Sequence, residues 1–355
     1  MDGRFEELVA RLDTLLDRDW PRGARVRVMR ASQDLVVDQL GSLLTVPVPS
    51  ETVEDLRYFW SQIISVVFAG LRPALWLKLP RYLRARNRVH ALGRKYVDSI
   101  LSDQESGAEL PPLLSTLRQL HAAEPDLVAQ EDLNLLALFP YLAGMDTVAN
   151  GLASTVYAIL KHPDVLERVV AEADQLFDGR PVNVAAVRSM VATNGAIMET
   201  IRLWPVAVGL HRKTTSEFVF DGRQIPADAD VFFAIAVPHL MEEYFPNPSL
   251  FDIDRYSAPR AEHLARGAYT PFGRGTHRCI GASLGEVMTA LMIARLFHRR
   301  TLALPSADYT LKRTLRPAPG PSKRFAVHVE ERQAGPGSAS MHSAGGVGVD
   351  PLDAP

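Results

Sequence analysis

Apolar residues recur every three or four positions over most of the first two thirds of the chain. In RFEELVARLDTLLDR, VEDLRYFWSQIISVVFAG and LRARNRVHALGRKYVDSIL this spacing predicts helices with one apolar face. EDLNLLALFPYLAGMDTVANGLASTVYAILKH (131–162) is a longer apolar helix, interrupted by Pro140 and Gly144. Pro140 should kink it and free a backbone carbonyl one turn back. PDVLERVVAEADQLF opens with Pro163 at a first helical position. AAVRSMVATNGAIMETIRLWP reads as one helix ending before Pro205, since the residue before a proline leaves the helical region.

After residue 210 the texture changes. EFVFDGRQIPADADVFFAI alternates between turn residues and predicts short strands. FPNPSLFDIDRYSAPR is proline-rich and irregular, and a last helix is expected over roughly 282–299. TLRPAPGPSKRFAVHVEE suggests a small terminal sheet. From 331 to 355 the chain becomes rich in Gly, Ser, Ala and Pro and is expected to be disordered. The outcome is a mainly α body, residues 1–330, with small β-sheets toward the C-terminal side.

Composition narrows the setting. A net charge of −2 over 355 residues gives no bias toward nucleic acid. One cysteine excludes an intrachain disulfide framework and fits a reducing compartment. The N-terminal stretch carries acidic residues and no apolar core of a secretory signal. The most apolar early stretch, 63–80, is broken by Arg72, Pro73 and Lys78, which makes it too short to span a bilayer. A cytoplasmic protein with no membrane anchor is expected.

The lone cysteine, Cys279, sits in YTPFGRGTHRCIGASLGE (269–286). Gly273, Gly275 and Gly281 permit crowded or left-handed backbone and let a flat ligand approach closely. The helix that follows points its positive end back toward the sulfur, and Arg274, His277 and Arg278 add charge, a setting that favours an anionic sulfur. Such a sulfur is a nucleophile or a metal ligand. The plain alternative is a buried structural cysteine beside a glycine-rich turn.

Phe272-Gly273-x-Gly275-x-His277-Arg278-Cys279-x-Gly281 resembles the haem-binding loop of the cytochrome P-450 superfamily. The resemblance implies haem b as cofactor, with Cys279 as its axial thiolate ligand. It also implies Phe272 shielding the sulfur, His277 reaching a propionate, and Gly273 and Gly281 pressed against the porphyrin. Three further stretches follow in the order of the family. Ala143-Gly144-x-Asp146-Thr147 looks like its oxygen-activating segment, with Gly144 leaving room for O2 and Asp146 and Thr147 relaying protons. Glu199 and Arg202 in ETIRLWP, with Arg255 in FDIDRYSAPR, are similar to its buried ion cluster. Arg212 in VGLHRK, with His211 as the near alternative, matches its propionate-binding arginine.

The resemblance runs from about residue 5 to 330 and implies a P-450-like helical fold. The segment at residues 1–20 already resembles a later helix of the family, so the chain reads as lacking the N-terminal sheet and first helices. The implied reaction is a mono-oxygenation: one atom of O2 enters a hydrophobic small molecule such as a lipid, terpenoid, steroid or polyketide. Electrons would come from a ferredoxin or flavodoxin-type donor, with Arg274, Arg278, Arg295, Arg299 and Arg300 as a cationic docking face. The alternatives are an inactive or haem-free remnant serving as a binding module, and a haem-thiolate enzyme of different outcome, a peroxygenase or rearranging enzyme. A thiol nucleophile or redox sensor is more distant, because no His/Asn partner pattern surrounds Cys279.

Overall fold

The computed structural model of the chain describes residues 4–102, 110–314 and 319–331. The tail anticipated for 331–355 lies outside these residues, except that Glu331 ends a strand.

Helix α1 (Phe5–Asp19) buries Phe5, Leu8, Leu12, Leu15 and Leu16, the three-and-four spacing of one helix face. A short strand β1 (Arg25–Arg27) leads into α2 (Val28–Leu44). The helix α3 (Ser50–Ile63) widens into a π-helical turn at Ile64–Phe68, and a 3-10 turn at Ala74–Lys78 precedes α4 (Pro80–Leu101). Then come α5 (Pro112–Ala123), α6 (Leu133–Lys161) and α7 (Pro163–Leu176), the last with Pro163 at its start as expected. The single helix expected before Pro205 is two, α8 (Val184–Arg188) and α9 (Val191–Leu203). Asn183 caps α8, its side chain accepting from the Ala186 amide at 2.9 Å.

Short strands follow: β2 (Leu210–Lys213), β3 (Phe218–Phe220), β4 (Arg223–Ile225) and β5 (Asp230–Phe233). β2 pairs antiparallel with β5, and β3 with β4. The last helix is α10 (Ala282–Arg299), followed by β6 (Arg300–Ala303), β7 (Arg313–Thr314), β8 (Gly320–Pro321) and β9 (Ala326–Glu331). β9 lies between β1 and β6, so the chain's start and end share one small antiparallel sheet. β7 and β8 pair in a separate two-stranded ladder. The expected mainly helical body with small sheets is what forms.

α6 is the axis of the body. It packs against α2, α4, α7, α9 and α10. From Leu152 to Ile159 every residue is buried, including Ser154 and Thr155. Thr155 stays satisfied because its hydroxyl donates to the Gly151 carbonyl at 2.8 Å. Pro140 lies inside this helix without dividing it. α6 with its lead-in, and α10, are long and apolar enough to cross a membrane, yet both serve as core helices here.

Close approach at one glycine fixes how α9 meets the turn that carries Arg255. A Cβ at Gly195 would stand 2.7 Å from the Ile253 carbonyl oxygen, a backbone atom that cannot swing aside. Gly195→Ala should therefore destabilise the chain by about 1–3 kcal/mol, the usual cost of overpacking. Thermal or urea unfolding of the variant checks this, and an unchanged midpoint contradicts the packing described.

Candidate functional site

Three of the expected residues meet in the interior. From α9, Arg202 donates through Nε and Nη2 to the two Glu199 carboxylate oxygens, each at 2.7 Å. Arg255, on the 3-10 turn Ile253–Tyr256, donates its Nε to Glu199 Oε1 at 3.2 Å. All three side chains are at most 1% exposed. A buried cluster of this kind is tolerable only if every charge and donor is answered. Here each is. Glu199 also accepts from the Asp252 amide at 3.0 Å and from the Tyr256 hydroxyl at 2.7 Å. Arg202 Nη1 donates to the His239 carbonyl at 2.6 Å. Arg255 donates to the Pro246 carbonyl at 2.6 Å, the Asn247 carbonyl at 2.9 Å and Glu262 Oε2 at 3.0 Å.

Glu262 makes the count two carboxylates against two guanidinia. It escaped the sequence reading, as did Tyr256, because no spacing rule links either to Glu199. Burial, then the neighbouring Tyr269 and Glu199, pushes the Tyr256 phenol far up, so it stays a donor.

The cysteine loop is a tight hairpin-like turn. The Gly273 amide donates to the Thr270 carbonyl at 3.1 Å, and the Cys279 amide donates to the Phe272 carbonyl at 2.9 Å. Gly273 and Gly275 have φ of 70° and 73°, the left-handed region that glycine enters without a Cβ clash. His277 closes a 3-10 turn at Gly275–His277, and Gly281 stands at the N-cap of α10. Cys279 is exposed, which excludes the plain alternative of a buried structural cysteine. A Cβ on Gly281 would sit 4.0 Å from the Cys279 sulfur, so any larger residue would begin to cover it.

Two contacts bring other segments to this loop. Gly273 faces Leu210 of β2, whose Cδ1 would be 3.3 Å from a Cβ there. Arg212, two residues on, is half-buried and donates its Nη1 to the neighbouring His211 carbonyl at 2.7 Å, its other donors having no hydrogen bond among the described residues. Gly285 of α10 faces Val148 of α6, whose Cγ2 would be 3.8 Å from its Cβ. The start of α10 therefore reaches α6 beside Thr147.

On α6, Leu135, Phe139, Ala143 and Thr147 are all exposed and stand four residues apart, one continuous stripe. Thr147 donates its hydroxyl to the Ala143 carbonyl at 2.7 Å. Asp146 lies one step round the helix, half-buried, and accepts from Gln33 Nε2 of α2 at 2.6 Å. Burial pushes its pKa up, against the Gln33 hydrogen bond and the charges of Lys323 and Arg57.

Two expectations need correcting. Gly144 does not stand on the open stripe: a Cβ there would meet Leu40 Cδ1 of α2 at 3.0 Å. It lets α2 approach α6, and the small residue exposed beside Thr147 is Ala143. Nor are all the arginines of the expected docking face free. Arg295 pairs with Asp13 at 2.6 Å and Arg299 with Asp13 and Asp17 at 3.3 Å. Arg300 is buried against Asp17 and the Trp20 carbonyl. Arg274 and Arg278 do remain exposed.

The family model for cytochrome P-450 matches residues 51–318. The chain belongs to the cytochrome P-450 family, whose members hold haem through a cysteine thiolate. Among its relatives, cyclooctat-9-en-7-ol 5-monooxygenase of Streptomyces melanosporofaciens is 33% identical over 270 residues, 73% of this chain and 57% of that protein. Pentalenene oxygenase of Streptomyces avermitilis is 25% identical over 271 residues, covering 75% and 60%. The chain thus spans less than two thirds of these relatives' length. The fold matches the haem domain of cytochrome P-450DA with a TM-score of 0.78, at 23% identity, over 93% of this chain and 73% of that one.

Removing the shared carboxylate should cost most. Glu199→Gln leaves two buried guanidinia against one carboxylate and should destabilise by about 3–5 kcal/mol, read from denaturant unfolding. Asp146 gives the opposite sign. Its pKa is raised in the folded state, so folding binds the extra proton between the ordinary Asp value and the raised one, and stability falls as pH rises through that window. Asp146→Asn keeps the acceptor for Gln33 and should melt higher at pH 7, the gap closing as pH falls below the ordinary Asp range. A gap independent of pH contradicts the buried carboxyl.

Proposed function

We propose that this chain is a haem-thiolate mono-oxygenase that inserts one oxygen atom of O2 into a hydrophobic small molecule. The convergence of three segments supports it: the exposed Cys279 loop, the Arg212 strand against Gly273, and the Thr147 face of α6 against the start of α10. The donor set fits haem. One accessible thiol could supply one ligand to the iron, the surrounding glycines would leave room for a flat ring, and the Arg212 guanidinium suits a propionate.

Haem bound through a thiolate supplies the oxygen-activating chemistry, and the protein supplies binding, orientation and protons. Cys279 is the proposed ligand. Phe272 would screen its sulfur, Gly273 and Gly281 would leave room for the ring, and Arg212 and His277 would hold the propionates. Thr147 spends its one proton on the Ala143 carbonyl, so its oxygen faces the stripe as an acceptor. Asp146, its pKa raised by burial, holds a proton nearer to neutral pH than an exposed carboxyl and can pass it on through water. Leu135, Phe139 and Ala143 give the substrate an apolar wall. The relatives named for cyclooctat-9-en-7-ol and pentalenene favour a cyclic terpenoid.

Residues 1–330 act as one haem domain of a cytoplasmic enzyme, fed by a ferredoxin or flavodoxin-type donor. Arg274 and Arg278, exposed beside the ligand loop, remain as the cations that an acidic donor would meet.

Carbon monoxide added to the reduced, haem-loaded chain should give the strongly red-shifted Soret band of thiolate ligation. Cys279→Ser should abolish that band while leaving the helical circular dichroism unchanged. An unshifted band in the parent chain, or a shifted one in the serine variant, overturns the assignment. Thr147→Ala should keep the band yet consume reductant with little product, and full coupling in that variant would remove the threonine from proton delivery.

A further inference from the structure

His239 is absent from every sequence motif above, yet it stands between the buried ion cluster and the cysteine loop. It sits in a 3-10 turn, Pro238–Leu240, and is wholly buried. Its carbonyl accepts from Arg202 Nη1 at 2.6 Å. Its ring nitrogen Nε2 accepts from the Thr270 amide at 3.1 Å. Thr270 opens the loop: its carbonyl takes the Gly273 amide at 3.1 Å, and two residues on the Phe272 carbonyl takes the Cys279 amide at 2.9 Å. Thr270 is anchored on its other side as well, its hydroxyl donating to the Ile235 carbonyl at 3.2 Å. Beside it, the Tyr269 ring packs on the imidazole with centroids 5.3 Å apart, and its hydroxyl donates to the Met198 carbonyl of α9 at 3.1 Å.

Only a ring whose Nε2 carries no proton can accept from an amide. The proton of the neutral ring is therefore on Nδ1, and Nδ1 has no hydrogen-bond partner among the described residues. A buried donor left without a partner costs stability, so the amide bond at Nε2 is kept against that cost. Burial and the Arg202 charge push the His239 pKa down to about 4, which keeps the ring neutral near physiological pH.

We infer that His239 is a positioning residue for the cysteine ligand: one residue, through its carbonyl and its Nε2, ties the Arg202 guanidinium to the backbone that presents Cys279. The inference rests on the haem-thiolate reading above only for the purpose of that loop, and the link itself is testable without haem.

Three substitutions separate the roles. Gln places a side-chain carbonyl near the position of Nε2, Asn places one near Nδ1 and falls short of Thr270, and Leu fills the space with no acceptor. In the haem-free chain, exchange of the Thr270 amide should speed up about tenfold in His239→Leu, the loss of one net hydrogen bond. It should stay near the parent rate in His239→Gln. Amides of α6 should be unchanged in both. With haem bound, the fraction of the carbon monoxide Soret band in the red-shifted form should fall in His239→Leu and recover in His239→Gln. Equal Thr270 exchange in all variants overturns the inference, as does a leucine variant with a full red-shifted band. If the leucine chain does not fold, the glutamine and asparagine variants carry the same contrast, and equal behaviour of those two overturns it. A parent chain with no red-shifted band defeats the enzymatic reading alone, because the exchange experiment still decides the link.

Discussion

The Glu199–Arg202–Arg255 cluster is the constraint on which the rest of the structure depends. A carboxylate and two guanidinia without water are unfavourable unless their hydrogen bonds are complete. Completing them recruits backbone from three stretches: the His239 turn, the 246–250 segment and Asp252. None of those stretches between residues 234 and 262 has a long helix or strand to hold it. The cluster takes the place of secondary structure there, and Glu262 brings the charge to balance. It is a core made of polar groups, next to an apolar one built around α6.

The apolar core determines a different thing, namely which face of α6 stays open. Its C-terminal half is buried on every side, while its N-terminal half exposes Leu135, Phe139, Ala143 and Thr147 in one row. The change falls where α10 meets α6 at Val148. Gly144 lets Leu40 of α2 come close on one side, and Asp146 is held by Gln33 from the same helix. A carboxyl partly withdrawn from water thus sits beside an exposed hydroxyl on a rigid helix. That pairing follows from packing alone, before any ligand is considered.

The helices with one clean apolar stripe were legible: α1, α4 and α7 lie close to their expected spans, and α10 does so as a continuous apolar run. α2 gave no such signal, because it buries residues on most of its faces, Ser32 and Gln39 among them. Arg202 and Glu199 were legible because three residues on a helix always share a face. Tyr256 and His239 were not, since their contacts cross 57 and 37 positions, and Glu262 was not because its partner Arg255, seven residues back, lies on an irregular turn with no spacing rule. The motif around Gly144 does not say which neighbour that residue faces. The missing Cβ of Gly144 points at Leu40 of α2, whereas its neighbour Ala143 is exposed in line with Thr147. The arginines near residue 300 were read as surface charge because nothing in the C-terminal sequence announces Asp13 and Asp17, some 280 positions away.

Those long-range pairs change what α10 is. At its C-terminal end Arg295 and Arg299 grip Asp13 of α1, while Arg300, just beyond, is buried against Trp20 and Asp17. At its N-terminal end Arg188 donates to the Ser283 hydroxyl at 2.6 Å, and Gly281 continues directly into the cysteine loop. A helix fixed at both ends cannot slide along α6, so the loop before it inherits a set distance from Thr147. Cations that looked available for a partner are thus spent on holding the helix whose other end presents the thiol. This leaves Arg274 and Arg278, on the loop itself, as the charges whose freedom does not compete with the fold.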